Sequence, residues 1–244
     1  MPHIKLDRKS SEKPRDIVTN TIGKMIVSGE FAPGSRLPTE TELGEQMSVS
    51  RTALRESVRT LAGKGLVESR PRIGTVVLPQ SQWNQLDPDL LQWREDLPPD
   101  LNFVRSLIEA REVIEPAAAR LAAMRATGQD LGRIQSAFDA MRDAEEDDIE
   151  SGVAADEAFH LAILTASKNP VFANFASVIG SALRNSFRLT MTASKSYQNT
   201  LEKHGDVLEA IRMRDGDAAS RQMSELIEVA SADLARLNDP KNDQ

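Results

Sequence analysis

The order of local signals between Pro14 and Leu78 is the strongest constraint on the fold of this chain. From Pro14 to Ser28 apolar residues recur at the spacing of one helical face. A glycine at position 29 and the loop-forming residues 31–35 follow directly. A first helix is therefore predicted over about 14–28.

Two further helices follow, each with its own capping signal. Thr39 is predicted to be an N-cap, and Glu42, three residues later, completes a capping box for a short second helix. After a tight turn at residues 48–49, Ser50 is expected to cap a third helix that Gly65 ends.

The next residues have the pattern of a β-hairpin. Residues 66–69 and 75–78 are rich in apolar and β-branched types, and the turn-forming stretch 70–74 separates them. Three helices followed by a hairpin predict a winged helix-turn-helix, to which we assign residues 11–79.

The third predicted helix has the chemistry of a DNA-recognition helix. Ser50, Arg51, Thr52 and Arg55 lie in its first turns, and the two arginines project on one side. An arginine can donate two hydrogen bonds to guanine, while hydroxyl groups bind phosphate. Arg72 in the hairpin turn is placed to enter the minor groove or to contact the backbone. Two arginines alone would equally suit a solvated helix, but the order of elements favours DNA binding.

Charge is divided unevenly along the chain. The whole chain has a net charge of −7, but residues 1–80 contain 13 Lys and Arg against 9 Asp and Glu, a net +4. The other 164 residues contain 17 against 28, a net −11. A basic module that attracts phosphate, joined to an acidic module, is typical of a DNA reader with a separate sensor.

Residues 80–99 are interpreted as a linker between the modules. Together with Pro79, this segment contains four prolines, and it contains both tryptophans of the chain, Trp83 and Trp93. It is therefore not a flexible Gly/Ser tether. The tryptophans are expected to pack one domain against the other rather than to stack on bases.

From Leu101 onward helical patterns dominate, and a mainly α chain is predicted. The expected helices cover about 101–127, 130–151, 153–168, 171–193, 197–214 and 217–237. Six antiparallel helices over 100–238 would enclose a core in which a small ligand can bind.

Two neighbouring residues of this module have the chemistry of metal ligands. Asp156 and His160 are i,i+4 neighbours on one helix, and His204 lies two helices later. A carboxylate and imidazoles are common metal ligands, although the same spacing also suits a surface ion pair or a buried hydrogen bond.

The first module resembles the GntR family of bacterial regulators. The resemblance rests on residues 33–43, 49–56, 65–67 and 72–75. It implies DNA contacts by Thr41, Ser50, Arg51, Thr52, Arg55, Arg72 and Gly74. Many members have arginine at the position of Thr41.

The second module resembles the helical FCD sensor domain of the FadR-like subfamily, through residues 111–123, 156–160, 167–170 and 204–217. The resemblance implies dimerisation and, as in those members that hold a metal, one divalent ion bound by Asp156, His160 and His204. By ligand chemistry this ion would be zinc, nickel or manganese. Leu226 occupies the position of a fourth ligand and cannot coordinate a metal. Such a site would bind a ligand oxyanion at its open positions, or no metal at all.

Residues 82–93 and 211–219 are similar to members of the family that respond to sugar acids. This likeness implies an effector such as galactonate or a related aldonate. Arg111, Arg184 and Arg188 lie within otherwise apolar helices and suit a carboxylate, or else salt bridges within an acidic bundle.

Three classes of function are compared. They are a ligand-responsive repressor that binds a palindromic operator as a homodimer, a metal-dependent helical enzyme, and an architectural DNA-binding protein. The sequence lacks a His-Glu-x-x-His motif, a nucleophile elbow and a phosphate-binding glycine loop, so no enzymatic activity is expected. A repressor released by a small carboxylate, a sugar acid or another organic acid, is the prediction.

A cytoplasmic location without membrane insertion is expected. No apolar run is long enough to span a bilayer, the polar first 13 residues do not resemble a signal peptide, and the chain has no cysteine.

Overall fold

The computed structural model describes residues 13–144, 148–190 and 197–237. These residues form two compact units that divide between Pro98 and Pro99. The prediction of a mainly helical chain with one hairpin is confirmed. None of the helices in these ranges is long and apolar enough to cross a membrane.

The first unit contains four helices, a 3-10 turn at Gln80–Gln82 and one hairpin. The elements are α1 (Pro14–Val27), α2 (Glu40–Met47), α3 (Arg51–Gly63), β1 (Val67–Arg70), β2 (Gly74–Val77) and α4 (Pro88–Glu95). The predicted winged helix-turn-helix is confirmed by this order of elements.

The capping predictions explain where α2 and α3 begin. Glu42 N donates to Thr39 Oγ1 at 3.3 Å, and Thr39 N donates to the Glu42 carboxylate at 2.7 Å. Ser50 Oγ accepts from Ala53 N at 3.2 Å at the start of α3. Between the helices Ser48 has a left-handed φ of 52°, which makes the turn tight. These local bonds satisfy amide groups that a helix leaves free at its first turn.

The hairpin forms the wing. Its strands are antiparallel, with Val67 opposite Val77 and Arg70 opposite Gly74. The turn between them contains Arg72 with φ 63°, and β2 begins directly after it at Gly74 with φ 102°. Gly74 suits this position because it has no Cβ.

All of the predicted linker 80–99 except residue 99 belongs to the first unit, and its two tryptophans pack into the core of that unit. Trp83 and Trp93 are 4% and 2% exposed. Trp93 Nε1 donates to Asn20 Oδ1 at 3.2 Å, and a Cβ added at Gly23 would lie 2.4 Å from the Trp93 ring. Helix α4 is therefore an integral layer on α1.

The second unit is an all-helical bundle. Its helices are α5 (Leu101–Arg125), α6 (Gly128–Asp143), α7 (Ile149–Ala166), α8 (Pro170–Ala173), α9 (Ala176–Thr190), α10 (Tyr197–Arg212) and α11 (Gly216–Leu237). The largest helix–helix contacts are those of α5 with α11, α6 with α7, and α10 with α11. One continuous apolar core contains residues from all of these helices except the short α8, whose Phe172 packs against it.

Three predicted helices differ from the observed ones. The helix expected over 153–168 is α7, which begins four residues earlier, at Ile149. The single helix expected over 171–193 is divided into α8 and α9, because α8 ends at Ala173 after one turn, and residues 191–193 lie outside the described ranges. The helix expected over 130–151 begins earlier, since a capping box of Thr127 and Asp130 starts α6 at Gly128. It ends at Asp143, and residues 145–147 lie outside the described ranges.

Candidate functional site

Every residue predicted to contact DNA is exposed on the first unit. These residues are Thr41, Ser50, Arg51, Thr52, Arg55, Arg72 and Gly74. Arg55 Nε lies 3.9 Å from Glu40 Oε1, and both side chains are exposed. An exposed pair of this kind is weak and can be replaced by a phosphate or a base.

The opposite side of α3 fixes the helix to the unit. Leu54 and Leu61 are fully buried. The buried Ser57 hydroxyl donates to the carbonyl oxygen of Arg15 at 2.9 Å, which pins α3 to the start of α1. The exposed arginines therefore lie on a helix whose other side is anchored in the core of the unit.

A polar cluster lies inside the second unit. Asp156 and His160 on α7 and His204 on α10 each offer a ligand atom, and these atoms lie within 4.8 Å of one another. Both histidines are 2% exposed. Asp156 Oδ1 is 2.8 Å from His204 Nε2 and 3.7 Å from His160 Nε2. The structure thus brings together the three predicted metal ligands from two helices.

Hydrogen bonds fix how the two imidazoles are oriented. His204 Nδ1 donates to the carbonyl oxygen of Thr200 at 2.7 Å. His160 Nδ1 donates to the Glu115 carboxylate. Each ring therefore turns Nε2 towards Asp156, and a neutral ring would offer its lone pair there, as metal-bound histidines do.

Arg111 and Glu115, one turn apart on α5, complete the buried cluster. Arg111 Nε donates to Glu115 Oε1 at 2.5 Å, and both residues are at most 3% exposed. Arg111 Nη2 lies 3.5 Å from His160 Nε2. The predicted ligand-binding arginine is therefore directly beside the predicted metal ligands.

The charges of the cluster keep both carboxyl groups ionised. Burial raises the pKa of Glu115, but Arg111 and His160 outweigh burial and lower it to about 2. Burial also raises the pKa of Asp156, and the neighbouring His204, His160 and Arg111 lower it to about 2. At neutral pH the cluster therefore has two carboxylates and one guanidinium.

A divalent metal fits these donors. His204 Nε2 is buried and makes no hydrogen bond of acceptable geometry among the described residues. His204 Nε2 lies 2.8 Å from Asp156 Oδ1, so either a proton on that nitrogen or a cation bound by both atoms must lie between them, and a divalent metal is one way to meet this need. Two imidazole nitrogens and one carboxylate oxygen suit zinc or nickel, and the carboxylate tolerates manganese.

Two family models match the chain in the order of its two units. Residues 15–77 match the model described as bacterial regulatory proteins, gntR family, and residues 106–229 match the FCD domain. The galactonate operon transcriptional repressor of Escherichia coli (strain K12) is 39% identical over 223 residues, 91% of this chain and 97% of that protein.

The chain belongs to the gntR family. The HTH-type transcriptional regulator LutR of Bacillus subtilis (strain 168) is 35% identical, with 82% of this chain and 91% of that protein covered. The solved structure of Lar, which controls the expression of the Listeria monocytogenes agr system, shares the fold with a TM-score of 0.67 at 20% identity. That match covers 94% of this chain and 100% of Lar.

This gntR-family chain is a transcription regulator with an FCD domain. Its domains and relatives are those of transcription regulators, which supports a regulator over a metal-dependent enzyme. A helix that positions arginines on the first unit and a buried polar cluster in the second are consistent with that role.

The other two predicted ligand-binding residues, Arg184 and Arg188, lie on α9 and are not among the residues of the buried cluster described above. Arg184 forms an ion pair with Glu157 of α7, and Arg188 is exposed. Leu226, at the position of a fourth metal ligand, is 5% exposed and lies in the apolar core. Of the six predicted ligand-binding residues, the cluster described above contains Arg111, Asp156, His160 and His204.

Two sets of buried polar residues in the second unit are not among the predicted site residues. Glu115 was not selected as a site residue, although its i,i+4 spacing from Arg111 is a visible signal. Ser181 and Asn185 on α9 are 0% and 3% exposed, and Asn185 Nδ2 donates to the Ser181 carbonyl oxygen at 2.9 Å. Buried polar groups on an otherwise apolar face give the bundle interior additional hydrogen-bonding capacity.

Proposed function

We propose that this regulator is a repressor that binds a palindromic operator as a homodimer and is released by a small sugar acid. The observation that carries the proposal is the buried cluster of Asp156, His160, His204 and Arg111 in a unit that follows a DNA reader. A domain used only for dimerisation would not need ionised groups in its interior, since they are costly to bury.

The charge of the cluster favours a monocarboxylate effector. Asp156 and Glu115 contribute two negative charges and Arg111 one positive charge, so the cluster has a net charge of −1 when the histidines are neutral. A bound divalent metal would raise it to +1. The carboxylate of one effector molecule would then neutralise the site, whereas the metal-free cluster would repel it.

The identity with the galactonate operon repressor supports an aldonate among the monocarboxylates. Three protein ligands leave coordination positions for the carboxylate and the 2-hydroxyl of an aldonate. Arg111 is the residue proposed to pair with that carboxylate. Another 2-hydroxy acid could use the same groups, so a different small carboxylate is the alternative effector.

Effector binding must change the DNA reader to release the operator. The cluster joins α5, α7 and α10, and a ligand that contacts all three would favour the state in which they are drawn together. If this state binds the operator less well, the effector releases the operator. The reason is that the coupling between effector and operator is reciprocal: each weakens the binding of the other.

The test is a titration of the protein–operator complex. The operator is first selected from random duplexes, and fluorescence anisotropy then measures its release by galactonate, lactate and a dicarboxylate, with and without a chelator. Release by galactonate that the chelator prevents is the expected result. A complex that none of these compounds dissociates would overturn the proposed effector class.

The recognition helix gives a separate prediction. Replacing Arg51 or Arg55 with alanine should cost about 1–3 kcal/mol of operator binding if each arginine makes a two-bond contact to a base. Calorimetric binding of galactonate should be unchanged, because both residues are exposed on the first unit. Unchanged operator affinity in both variants would show that α3 does not read the operator.

Assembly can be tested without a ligand. One winged helix offers few contacts, so useful specificity requires two half-sites and a C2 dimer. Sedimentation velocity at micromolar protein should therefore give a dimer, and footprinting should protect an inverted repeat. A monomer that protects one half-site would contradict the proposal.

A further inference from the structure

An open cleft lies between α3 and the wing of the first unit. Its volume is about 700 Å³, and Val58, Ala62 and Val67 form part of its surface. The cleft also includes Arg55, one of the predicted base contacts, so it is continuous with the predicted DNA-reading surface.

Two arginines of this cleft have no role in the function proposed above. Arg59 lies on α3, one turn after Arg55, and Arg70 lies at the end of β1, so they approach the cleft from opposite sides. The Arg59 side chain is 77% exposed and lies 3.2 Å from Glu56. The Arg70 side chain is 48% exposed and lies 2.9 Å from Glu68. Such exposed pairs exchange their partners readily.

The geometry of B-DNA indicates what enters the cleft. A helix such as α3 fits the major groove, and the tip of a wing fits the neighbouring minor groove. One sugar–phosphate strand separates these two grooves. If Arg51 reads the major groove while Arg72 enters the minor groove, that strand must pass between α3 and β1.

We infer that this cleft holds one sugar–phosphate strand of the operator and that Arg59 and Arg70 bind its phosphates from either side. The inference rests on the proposed function, because it requires α3 and the wing to dock on a duplex. The apolar surface formed by Val58 and Ala62 suits the C–H groups of deoxyribose, and the arginines suit phosphate oxygens.

The paired glutamates limit this contact. Glu56 and Glu68 compete with phosphate for the arginines that they neighbour, so each arginine exchanges a carboxylate for a phosphate on binding. Removing the Glu56 carboxylate should therefore strengthen binding to any duplex, whatever its sequence.

The experiment uses the full chain, an operator selected from random duplexes and a scrambled duplex of equal length. Dissociation constants of wild type, Arg59→Ala, Arg70→Ala, Arg59→Lys and Glu56→Gln are measured across a range of salt concentrations. Arg120→Ala is the matched control, because it removes an exposed, ion-paired arginine from the second unit. Circular dichroism checks that each variant is folded.

Each Arg→Ala variant should lose one phosphate contact at each of the two half-sites. The magnitude of the slope of log K against log salt should therefore fall by about 2 for each variant. Affinity for the operator and for the scrambled duplex should fall by the same factor. Arg59→Lys should keep most of the slope, Glu56→Gln should bind both duplexes more tightly, and Arg120→Ala should match wild type.

Two results would overturn the inference while wild type still binds its operator. An unchanged salt slope in both alanine variants would exclude phosphate contacts, and a loss confined to the operator would identify base readout instead. If wild type binds no operator at all, the proposed function fails together with this inference. Normal binding by wild type with unchanged Arg59 and Arg70 variants would refute the inference alone.

Discussion

Replacing His160 or His204 with alanine is expected to leave operator binding intact and to raise the galactonate concentration needed for release by more than about 100-fold. Loss of outer-sphere partners alone costs 10–100-fold in metal affinity, and these two residues are proposed as direct ligands. Operator binding should persist because the first unit has its own core, separate from the core around the histidines. Anisotropy titration of each variant–operator complex with galactonate measures the effect.

Buried histidines also contribute to packing, so the variants need controls. His160 and His204 both contact the Phe159 ring edge to face, with centroids 5.7 and 5.1 Å away. His160→Asn and His204→Gln keep a polar side chain of similar volume and should lose the response as well. Thr165→Ala, on the exposed face of α7, is the matched control and should respond normally.

A second readout separates metal binding from release. Wild type should gain thermal stability when zinc, nickel or manganese is added, by mass action on the folded state. The histidine variants should gain little. If both alanine variants release DNA at the wild-type galactonate concentration, the histidines are structural and the effector binds elsewhere.

The sequence predicted those features of the chain that depend on neighbouring residues. The capping box of Thr39 and Glu42 and the cap at Ser50 connect residues three positions apart, so the motif and its structure are visible together. The same holds for Asp156 and His160, one helical turn apart. His204 could be added from the resemblance to a known domain, but spacing alone would not have joined it to them.

The features that sequence reasoning missed depend on partners far apart in the chain. The two partners Glu115 and His160 are 45 positions apart. Only packing of α5 against α7 shows that this carboxylate orients an imidazole. Its neighbour Arg111 was selected because a guanidinium within an apolar helix is unusual by itself. Glu115 was not selected, because a single glutamate is not unusual in a module with many acidic residues.

The role of residues 80–98 has the same explanation. Trp93 hydrogen-bonds to Asn20, 73 positions earlier, and packs against Gly23 of α1. Prolines and two tryptophans between two modules therefore suggested a linker, because the sequence does not show that the partners of Trp93 lie in the first helix. We propose that the DNA-reading domain extends to Pro98 and that the segment after residue 79 is part of it.

The proposed boundary predicts a large difference between two fragments. Residues 13–98 should fold cooperatively, whereas residues 13–79 should be unfolded. The shorter fragment loses Trp83, Leu90 and Trp93 from its core. Full burial of one such side chain stabilises a fold by about 1.5–3 kcal/mol, so losing three removes much of the roughly 5–15 kcal/mol available to a domain. Circular dichroism and urea denaturation of both fragments measure the difference.

A point variant in the full chain tests the same packing without truncation. Trp93→Ala should destabilise the first unit by about 3–5 kcal/mol, because it removes a ring that fills the space over Gly23 and leaves Asn20 without its partner. Leu86→Ala is the matched control: Leu86 belongs to the same segment but is 51% exposed, so the change should stay within about 0.5 kcal/mol. Cooperative unfolding of fragment 13–79 with the stability of fragment 13–98 would restore the linker interpretation and place the tryptophans outside the fold of the reader.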